Sequence, residues 1–420
     1  MFTAMDSKKT RITVLFESLQ DLEQIAPDSQ HGADNSESIH IKGSGQQVQH
    51  RTVVNHVGEF QHVRITWKGS TNTQTHDSFL EAPLMNGLNI YIVAGEPNKQ
   101  ISGAIKSAKY QLIHSDSFDE NLVREYLPAE VFEVDDLDWK LKDYDITLDR
   151  RKQRAQIDEY YELENGHNQN ISYLDRYGKL EVGLFFPESP DKIDVHLNGA
   201  ICNWNREGVI EQCQKTYLFY QKAHVISPEG QGIPVDLLEP VGLHPTFSVD
   251  LRNRTSSDNC GYYLYLTTPA DIFLDKFQSS PIFIAGATDL EAPEYAVKDS
   301  SWGMEALLAL TPGQLNEVKL HTRYIRPQSA GGHKSVNISP VVFQACDTEY
   351  DNIHENPFYS KSSGFDALFT NNTHFSHLNS STYAINIPAA TAEAYDFIQV
   401  GTWAALFLST LYILIKIFKK

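Results

Sequence analysis

The sequence predicts an all-β or strongly β-rich body, held at a membrane by a single helix near its carboxyl end. Three features predict it. Val, Ile, Thr, Tyr and Phe dominate the ordered stretches, whereas Met occurs only 4 times in 420 residues, a balance that favours strands over helices. Short runs that alternate polar with apolar residues recur between Gly, Asn and Pro punctuation. One uncharged run of 18 residues, Ile398 to Ile415, departs from that pattern and is followed by Lys416, Lys419 and Lys420. The length suggests two globular parts. With 35 Lys and Arg against 54 Asp and Glu, the net charge of -19 repels a phosphate backbone, so no nucleic-acid partner is expected.

In chain order, the first strand falls at Arg11 to Phe16. The polar stretch Ala26 to Ser38, with Pro27 and Gly32, reads as a disordered loop. Alternation returns at His62 to Trp67 and at Leu88 to Val93. Val131 to Glu164 is highly charged, with Glu133, Asp135, Asp136 and Asp138, then Arg150, Arg151, Lys152 and Arg154; it reads as linker or exposed helix. Residues 1–165 are therefore expected to form a smaller β-containing domain that ends in a charged linker.

Residues 166–392 are expected to form an antiparallel β-sandwich. Its strands are placed at Lys179 to Phe186, Lys215 to Gln221, His244 to Leu251, Tyr262 to Leu266, Pro281 to Ala285, Glu317 to Ile325 and Val341 to Ala345, with turn residues between most of them.

Residues 393–418 form the expected transmembrane helix with its flanks, and 419–420 a short tail. At 1.5 Å per residue the uncharged run spans roughly 27 Å, or about 31 Å if Lys416 snorkels and Phe418 is included. The lysines mark the cytoplasmic end. Glu393 and Asp396 then sit outside the opposite face, with Tyr395, Phe397 and Trp403 near it. Gly401, Ala405 and Ser409 recur on one helix face, a small-residue stripe that suits close approach of a partner helix. Met1 to Leu19 carries Asp6, Lys8, Lys9, Arg11 and Glu17 and no continuous apolar stretch, so it is not read as an ordinary signal peptide. Three topologies stay open: a cytosolic tail-anchored protein, a lumenal body, and a precursor whose tail is exchanged for a GPI anchor at Ser380 or Ser381.

Sequons stand at Asn170, Asn253, Asn337, Asn371 and Asn379, against about three expected by chance, and Pro340 hinders the third. Cys202 and Cys213 flank a short polar stretch that reads as a hairpin loop, whose ends a disulfide would join. Cys260 and Cys346 would form the remaining pair, although four cysteines allow three connectivities and also none. No two cysteines show the Cys-x-x-Cys spacing of a metal site.

Catalytic signals are thin. Asp136-Leu137-Asp138 and Asp143-Tyr144-Asp145 have the form of a metal and nucleotide-sugar motif, but read as solvated charge on a linker. His374-Phe375-Ser376-His377 lacks a third metal ligand and reads as loop. There is no Gly-x-Ser-x-Gly elbow, phosphate-cradling glycine loop or His-Glu-x-x-His. No catalytic residue, metal or cofactor is expected.

One patch carries two readings, Val318 to Pro327. Val318, Leu320, Thr322 and Tyr324 alternate onto one face and Lys319, His321 and Arg323 onto the other, with Pro327 ending the strand. It is then a half-buried strand, or else His321, Arg323 and Arg326 form a recognition surface on an acidic body.

Leu320-His321-Thr322-Arg323-Tyr324-Ile325-Arg326-Pro327 closely resembles the Leu-His-x-Arg-Tyr-x-x-Pro signature of the PIG-X family. Gly242-Leu243-His244-Pro245, the block from Asp275 to Pro281, the block from Asp289 to Tyr295, Cys346-Asp347 and Asn356-Pro357-Phe358-Tyr359 resemble its fungal branch, the protease B nonderepressible proteins. The resemblance runs from about residue 172 through the membrane helix and is looser before it. It implies a non-catalytic, stabilising subunit of GPI mannosyltransferase I, which adds the first mannose to the GPI-anchor precursor. It also implies a single-pass glycoprotein of the endoplasmic reticulum membrane with a lumenal body. The implied partner is the polytopic PIG-M-type catalytic protein. On this reading His244, His321, Arg323, Tyr324, Arg326 and Pro327 are partner-surface candidates. A lumenal chaperone-like or glycoprotein-binding β-sandwich is the other class that fits the residues.

Overall fold

The computed structural model describes residues 8–16, 38–41, 47–69, 80, 84–95, 99–128, 137–163, 169–172, 178–189, 194–205, 207–227, 232–241, 243–255, 257–290, 292–298, 301–329, 331–348, 356–359, 364–379 and 381–418. The expected loop at 26–38 lies outside them except for Ser38, which opens a short strand, Ser38–Ile41.

The protein is strand-rich, as its composition predicts. The larger sheet has eleven strands, in the spatial order Ile210–Gln221, Asp194–Trp204, Lys179–Ser189, Lys9–Leu15, Gln47–Asn55, Arg154–Glu162, Asp143–Asp149, His62–Lys68, Gly87–Val93, Gln111–Ser115 and Ile105–Lys106. Lys9–Leu15 pairs in parallel with Lys179–Ser189, with Ile12 opposite Val182; the other pairs in this sheet are antiparallel. One sheet therefore runs through the boundary expected at residue 165, and residues 179–221 belong to it rather than to the sandwich.

The charged stretch read as linker or exposed helix is, within residues 137–163, a pair of central strands. Alternation explains it. Tyr144, Ile146 and Leu148 point to one apolar core with Ile65 and Ile90, while Asp145 and Asp158 point to the opposite face, which is also buried. There Asp145 receives two hydrogen bonds from Arg64, at 2.9 and 2.8 Å, and Asp158 two from Arg51, at 2.6 and 3.1 Å. The acids are buried because arginines on nearby strands meet them across the pleat.

The carboxyl-terminal body packs a six-stranded sheet on a four-stranded one. The six-stranded order is His224–Ile226, Thr373–Asn379, Val341–Asp347, Cys260–Pro269, Gly303–Leu310, Phe283–Gly286; the four-stranded order is Val235–Val241, His244–Asp250, Leu315–Thr322, Ile272–Leu274. The core between them holds Phe247, Leu264, Leu266, Leu308, Leu320 and Val342, each fully buried or nearly so and each worth about 1.5–3 kcal/mol of burial. A further strand pair, Gly332–Ile338 with Tyr383–Ala389, adds Val336 and Ile385 to that core. Gly303 is required where two strands meet closely, since a Cβ there would stand 1.8 Å from the Thr268 carbonyl oxygen.

The other face of the six-stranded sheet, with Tyr265, Phe343 and Phe375, packs toward the polar face of the eleven-stranded sheet. Tyr110 and Tyr265 both donate to Glu305, at 2.7 and 2.6 Å, and the Trp302 indole donates to the Leu112 carbonyl at 2.8 Å. The result is three layers, with the six-stranded sheet in the middle.

The helix Tyr395–Phe418 has no buried residue, although it is apolar nearly throughout. It is long and apolar enough to cross a membrane.

Candidate functional site at the membrane junction

The motif strand ends at Thr322, three residues before the Ile325 at which its alternation placed the end. Leu315–Thr322 pairs with His244–Asp250 and with Ile272–Leu274, and Val318, Leu320 and Thr322 are buried. After Thr322 the ladder stops and the facing reverses: Arg323 turns inward at 2% exposure and Tyr324 turns out at 78%. Both assignments differ from the sequence reading, which put Tyr324 inside and Arg323 outside.

The reversal follows from what the guanidinium finds. Arg323 donates to the backbone carbonyls of Asp289, of Ala292 at 2.8 Å and of Ala287 at 3.0 Å. It lies over the Phe273 ring, 4.3 Å from the centroid, and its own backbone N–H donates to the Asp271 carbonyl at 2.7 Å. Burial pulls the charge below the ordinary arginine value, with Asp289 opposing. Arg323 is thus a pin that holds the segment 287–295 against the motif strand, and cannot serve as an exposed recognition group.

His321 is half-buried, stacked on Phe273 at 5.3 Å and edge-on to His244 at 4.6 Å. Burial, and then His244, lower its pKa, so both imidazoles belong to the packing beside the motif. Tyr324, Arg326 and Pro327 are exposed. Because Arg323 fixes the neighbouring segment, Glu294 donates its N–H to the Tyr324 carbonyl at 3.2 Å, and Arg326 lies over the Tyr295 ring at 5.2 Å.

Immediately after the motif, Gln328 joins the foot of the apolar helix. Its N–H donates to the Ala390 carbonyl at 2.9 Å and its carbonyl accepts from Ala392 at 2.8 Å, forming a parallel bridge to Thr391. The strand Tyr383–Ala389 thus runs through a short 3-10 helix, Ala392–Ala394, directly into the apolar helix. The body is mounted on that helix by backbone hydrogen bonds rather than hung from a linker. Sequence reasoning missed Gln328 and Tyr295, although the first follows the motif directly and the second closes a quoted block.

The remaining candidates lie elsewhere. Asn253, Asn337 and Asn371 are exposed, Asn379 is half-buried with its amide donating to the Ile233 carbonyl at 3.3 Å, and Asn170 lies on the strand Gln169–Ser172. Cys202 faces Cys213 and Cys260 faces Cys346 across adjacent strands, and both pairs are joined with Cα atoms 4.0 Å apart. On the apolar helix, a Cβ added at Gly401 would meet nothing within 4 Å, and the Ser409 hydroxyl donates to the Ala405 carbonyl at 2.6 Å.

The two histidines read as loop residues sit on a strand instead. His374 contacts the Lys222 carbonyl at 2.8 Å, and His377 lies 2.9 Å from His224. Of the acidic triplets, Asp143 and Asp145 are buried rather than solvated, Asp138 stands near the turn before them, and Asp136 lies outside the described residues. No group of three metal-ligating side chains occurs among the described residues. A cavity of about 600 Å³ opens on the eleven-stranded sheet among Lys9, Arg11, Arg51, Arg154 and Lys179, where Glu181 answers Arg11 and Asp158 answers Arg51.

Known proteins bear on this geometry. The family model described as PIG-X / PBN1 matches residues 240–418, which contain the motif, its pinned segment and the apolar helix. Protein PBN1 of Saccharomyces cerevisiae is 36% identical over 415 residues, 97% of this chain and 96% of that protein. Chains called Protein PBN1 from Eremothecium gossypii and Kluyveromyces lactis are 36% and 32% identical, covering 98% and 85% of this chain and 97% and 84% of their own. The chain belongs to the PIG-X / PBN1 family.

The blocks that resemble the PIG-X / PBN1 family are joints in this structure. The Leu243 carbonyl accepts from the Thr322 N–H at 2.9 Å, and Asp275 caps a helical turn by accepting from the Phe277 N–H at 2.8 Å. Asp347 accepts from the Thr373 hydroxyl at 2.6 Å, beside the Cys260–Cys346 link. Asn356 to Tyr359 crosses to the eleven-stranded sheet, where the Phe358 carbonyl accepts from Gln49 at 2.7 Å, Arg51 at 2.8 Å and Tyr160 at 3.2 Å. Arg51 also donates to the Pro357 carbonyl at 2.6 Å, and Arg64 lies 5.1 Å from the Tyr359 ring centroid. Through this block the PIG-X / PBN1 body and the amino-terminal sheet share a buried polar interface. The near full-length match to the Saccharomyces cerevisiae protein covers the body and the amino-terminal sheet alike.

Proposed function

We propose that this chain is a non-catalytic, stabilising subunit of GPI mannosyltransferase I, required for adding the first mannose to the GPI-anchor precursor in the endoplasmic reticulum. Membership of the PIG-X / PBN1 family over nearly the whole chain carries the reading. Its partner is a polytopic PIG-M-type protein that holds the catalytic site. A single span offers too little protein within the bilayer to hold a lipid-linked sugar donor by itself, so that site falls to the partner. The bare helix Tyr395–Phe418 supports a docking role, since none of its surface is used by the body and the face of Gly401, Ala405 and Ser409 stands open. The body lies in the lumen, with Asn253, Asn337 and Asn371 exposed to glycosylation, and the tail lies in the cytosol.

The test is affinity purification of the full-length protein in mild detergent, with identification of stoichiometric partners and an endoglycosidase shift on the same sample. A PIG-M-type protein recovered one to one with a glycosylated body is the expected result. An unglycosylated body with only cytosolic partners would overturn the assignment, and a broad set of unfolded clients would favour a chaperone.

A further inference from the structure

We propose that the cavity on the polar face of the eleven-stranded sheet binds a phosphorylated sugar, with Lys9, Lys179 and Arg154 holding the phosphate. The inference goes beyond the subunit reading and does not depend on it, since every residue lining the cavity lies outside the stretch matched by the family model. It is carried by the charge pattern of two neighbouring rows across the sheet. One row runs Glu181, Arg11, Arg51, Asp158 on four adjacent strands. There two acids flank two cations, and each arginine is paired with the acid beside it. The next row on the same face runs Lys179, Lys9, Val53, Gln156, with two cations and no acid. Lys9 and Lys179 stand directly opposite each other on strands about 4.8 Å apart, an arrangement that destabilises a sheet and that an anion between them would relieve. Arg154, two residues before Gln156 on the same strand, faces the same side and adds a third cation. None of the three is paired with a carboxylate among the described residues.

The charge and size of the site choose the ligand class. A phosphate monoester carries a charge of about -1.5 to -2 at neutral pH, which more than one cation must answer. Two lysines supply point charges and an arginine fork meets two phosphate oxygens at once. On a chain of net charge -19, three unanswered cations around one cavity are an exception to the rest of the surface. The cavity holds about 600 Å³, within the roughly 300–1,000 Å³ of small-molecule sites, so a bare phosphate would leave most of it empty. The other end of the cavity is lined by Asn203 and Glu211, both exposed. Glu211 lies on the edge strand, two strands beyond Lys179, where it repels a phosphate but accepts from hydroxyls, as the Asn203 amide also does. A phosphate at one end and hydroxyls at the other describe a sugar phosphate rather than a phosphate on an acyl chain. Arg51 lines the cavity and also donates to the Pro357 carbonyl at 2.6 Å, so an occupied site adjoins the joint to the carboxyl-terminal body.

The experiment uses the full chain in a non-ionic detergent that carries no sugar. Glucose 6-phosphate, inorganic phosphate, glucose and potassium chloride at matched ionic strength are compared by calorimetry and thermal unfolding. Glucose 6-phosphate should bind and raise Tm by about 1–2 °C at ten times its Kd, with inorganic phosphate at least about five-fold weaker and glucose without effect. Lys9→Gln and Lys179→Gln should each weaken binding at least about five-fold, while the unliganded variants melt no lower than the parent because a like-charge contact is gone. Arg154→Gln reads the same site from another strand if either lysine variant fails to fold. No binding of either phosphate compound, or binding that none of these substitutions weakens, would overturn the site. Inorganic phosphate bound as tightly as glucose 6-phosphate would overturn the sugar. Capture by phosphatidic acid vesicles that glucose 6-phosphate does not displace would overturn it in favour of a lipid phosphate.

Discussion

Replacing Arg323 separates the two roles that its motif suggests. Arg323→Ala removes three donors to the carbonyls of Ala287, Asp289 and Ala292 and the stacking on Phe273. A hydrogen bond from a charged group contributes about 1.5–3 kcal/mol, and the stacking about 0.5–1 kcal/mol. The three bonds share one side chain and do not add, and water reaches the carbonyls once the segment loosens. A net loss of about 3–5 kcal/mol follows, on the order of 3–6 °C for a chain of this size. Arg323→Lys keeps the charge, but one ammonium cannot span three carbonyls, so about half that loss is expected. The assay is thermal unfolding in detergent combined with amide exchange. Protection should fall first in residues 287–295 and around Tyr324. A variant that melts within 1 °C of the parent, with unchanged exchange there but no partner binding, would refute the pin and restore Arg323 as a recognition group.

Other changes test the remaining joints. Arg51→Met takes the guanidinium from the buried Asp158 carboxylate and from the Pro357 carbonyl, while the Phe358 carbonyl keeps Gln49 and Tyr160; the uncompensated charge costs about 3–5 kcal/mol, whereas Arg51→Met with Asp158→Leu should recover most of it, and limited proteolysis near residues 356–359 reads both. His377, held well below its ordinary pKa by burial and then by His224, is neutral in the folded protein, so its unfolded form binds the extra proton. Stability should be fully present above pH 6.5 and fall by up to about 1.4 kcal/mol per unit below it, a slope that His377→Gln removes in denaturant titrations at several pH values. In the chain-entropy model the Cys260–Cys346 link, closing 86 residues, contributes about 4.6 kcal/mol and the Cys202–Cys213 link, closing 11, about 2.8 kcal/mol. Paired serine variants should therefore melt in that order.

Much of the fold was legible because strand alternation, turn residues and the apolar helix are local signals. Leu88 to Val93 and Val341 to Ala345 fall within observed strands, and Ile398 to Ile415 within the helix. Layering was not legible, for a physical reason. The polar face of an alternating strand reads as solvent-facing, yet Arg64, Asp145 and Asp158 are buried because their partners lie on other strands and above them lies a second sheet. The same cause hid the strands Asp143–Asp149 and Arg154–Glu162 inside an apparent linker. It also hid the parallel pairing of Lys9–Leu15 with Lys179–Ser189, which depends on contacts about 170 residues apart. At the candidate site the motif was visible but the facing of its last residues was not. A strand's alternation continues only while its ladder does, and nothing in Thr322-Arg323-Tyr324 announces that the ladder ends.

The mounting of the body makes a last prediction. A subunit on a flexible stalk would sample many orientations, and binding a polytopic partner would then carry the entropy of fixing one of them. Here the strand Tyr383–Ala389 is paired along Gly332–Ile338, Gln328 bridges Thr391, and the helix begins at Tyr395, so the orientation is set before any partner arrives. Five Gly and Ser residues inserted between Ala394 and Tyr395 would leave every one of these hydrogen bonds in place and the span unchanged. They would remove only the rigid connection. The melting temperature should stay within about 1 °C, because no packed group is disturbed. Recovery of the partner in mild detergent should drop, since body and helix would then contribute as two tethered contacts rather than as one preorganised surface. Equal recovery with and without the insertion would mean that the helix alone, or the body alone, accounts for docking, and that the Gln328 joint serves stability only.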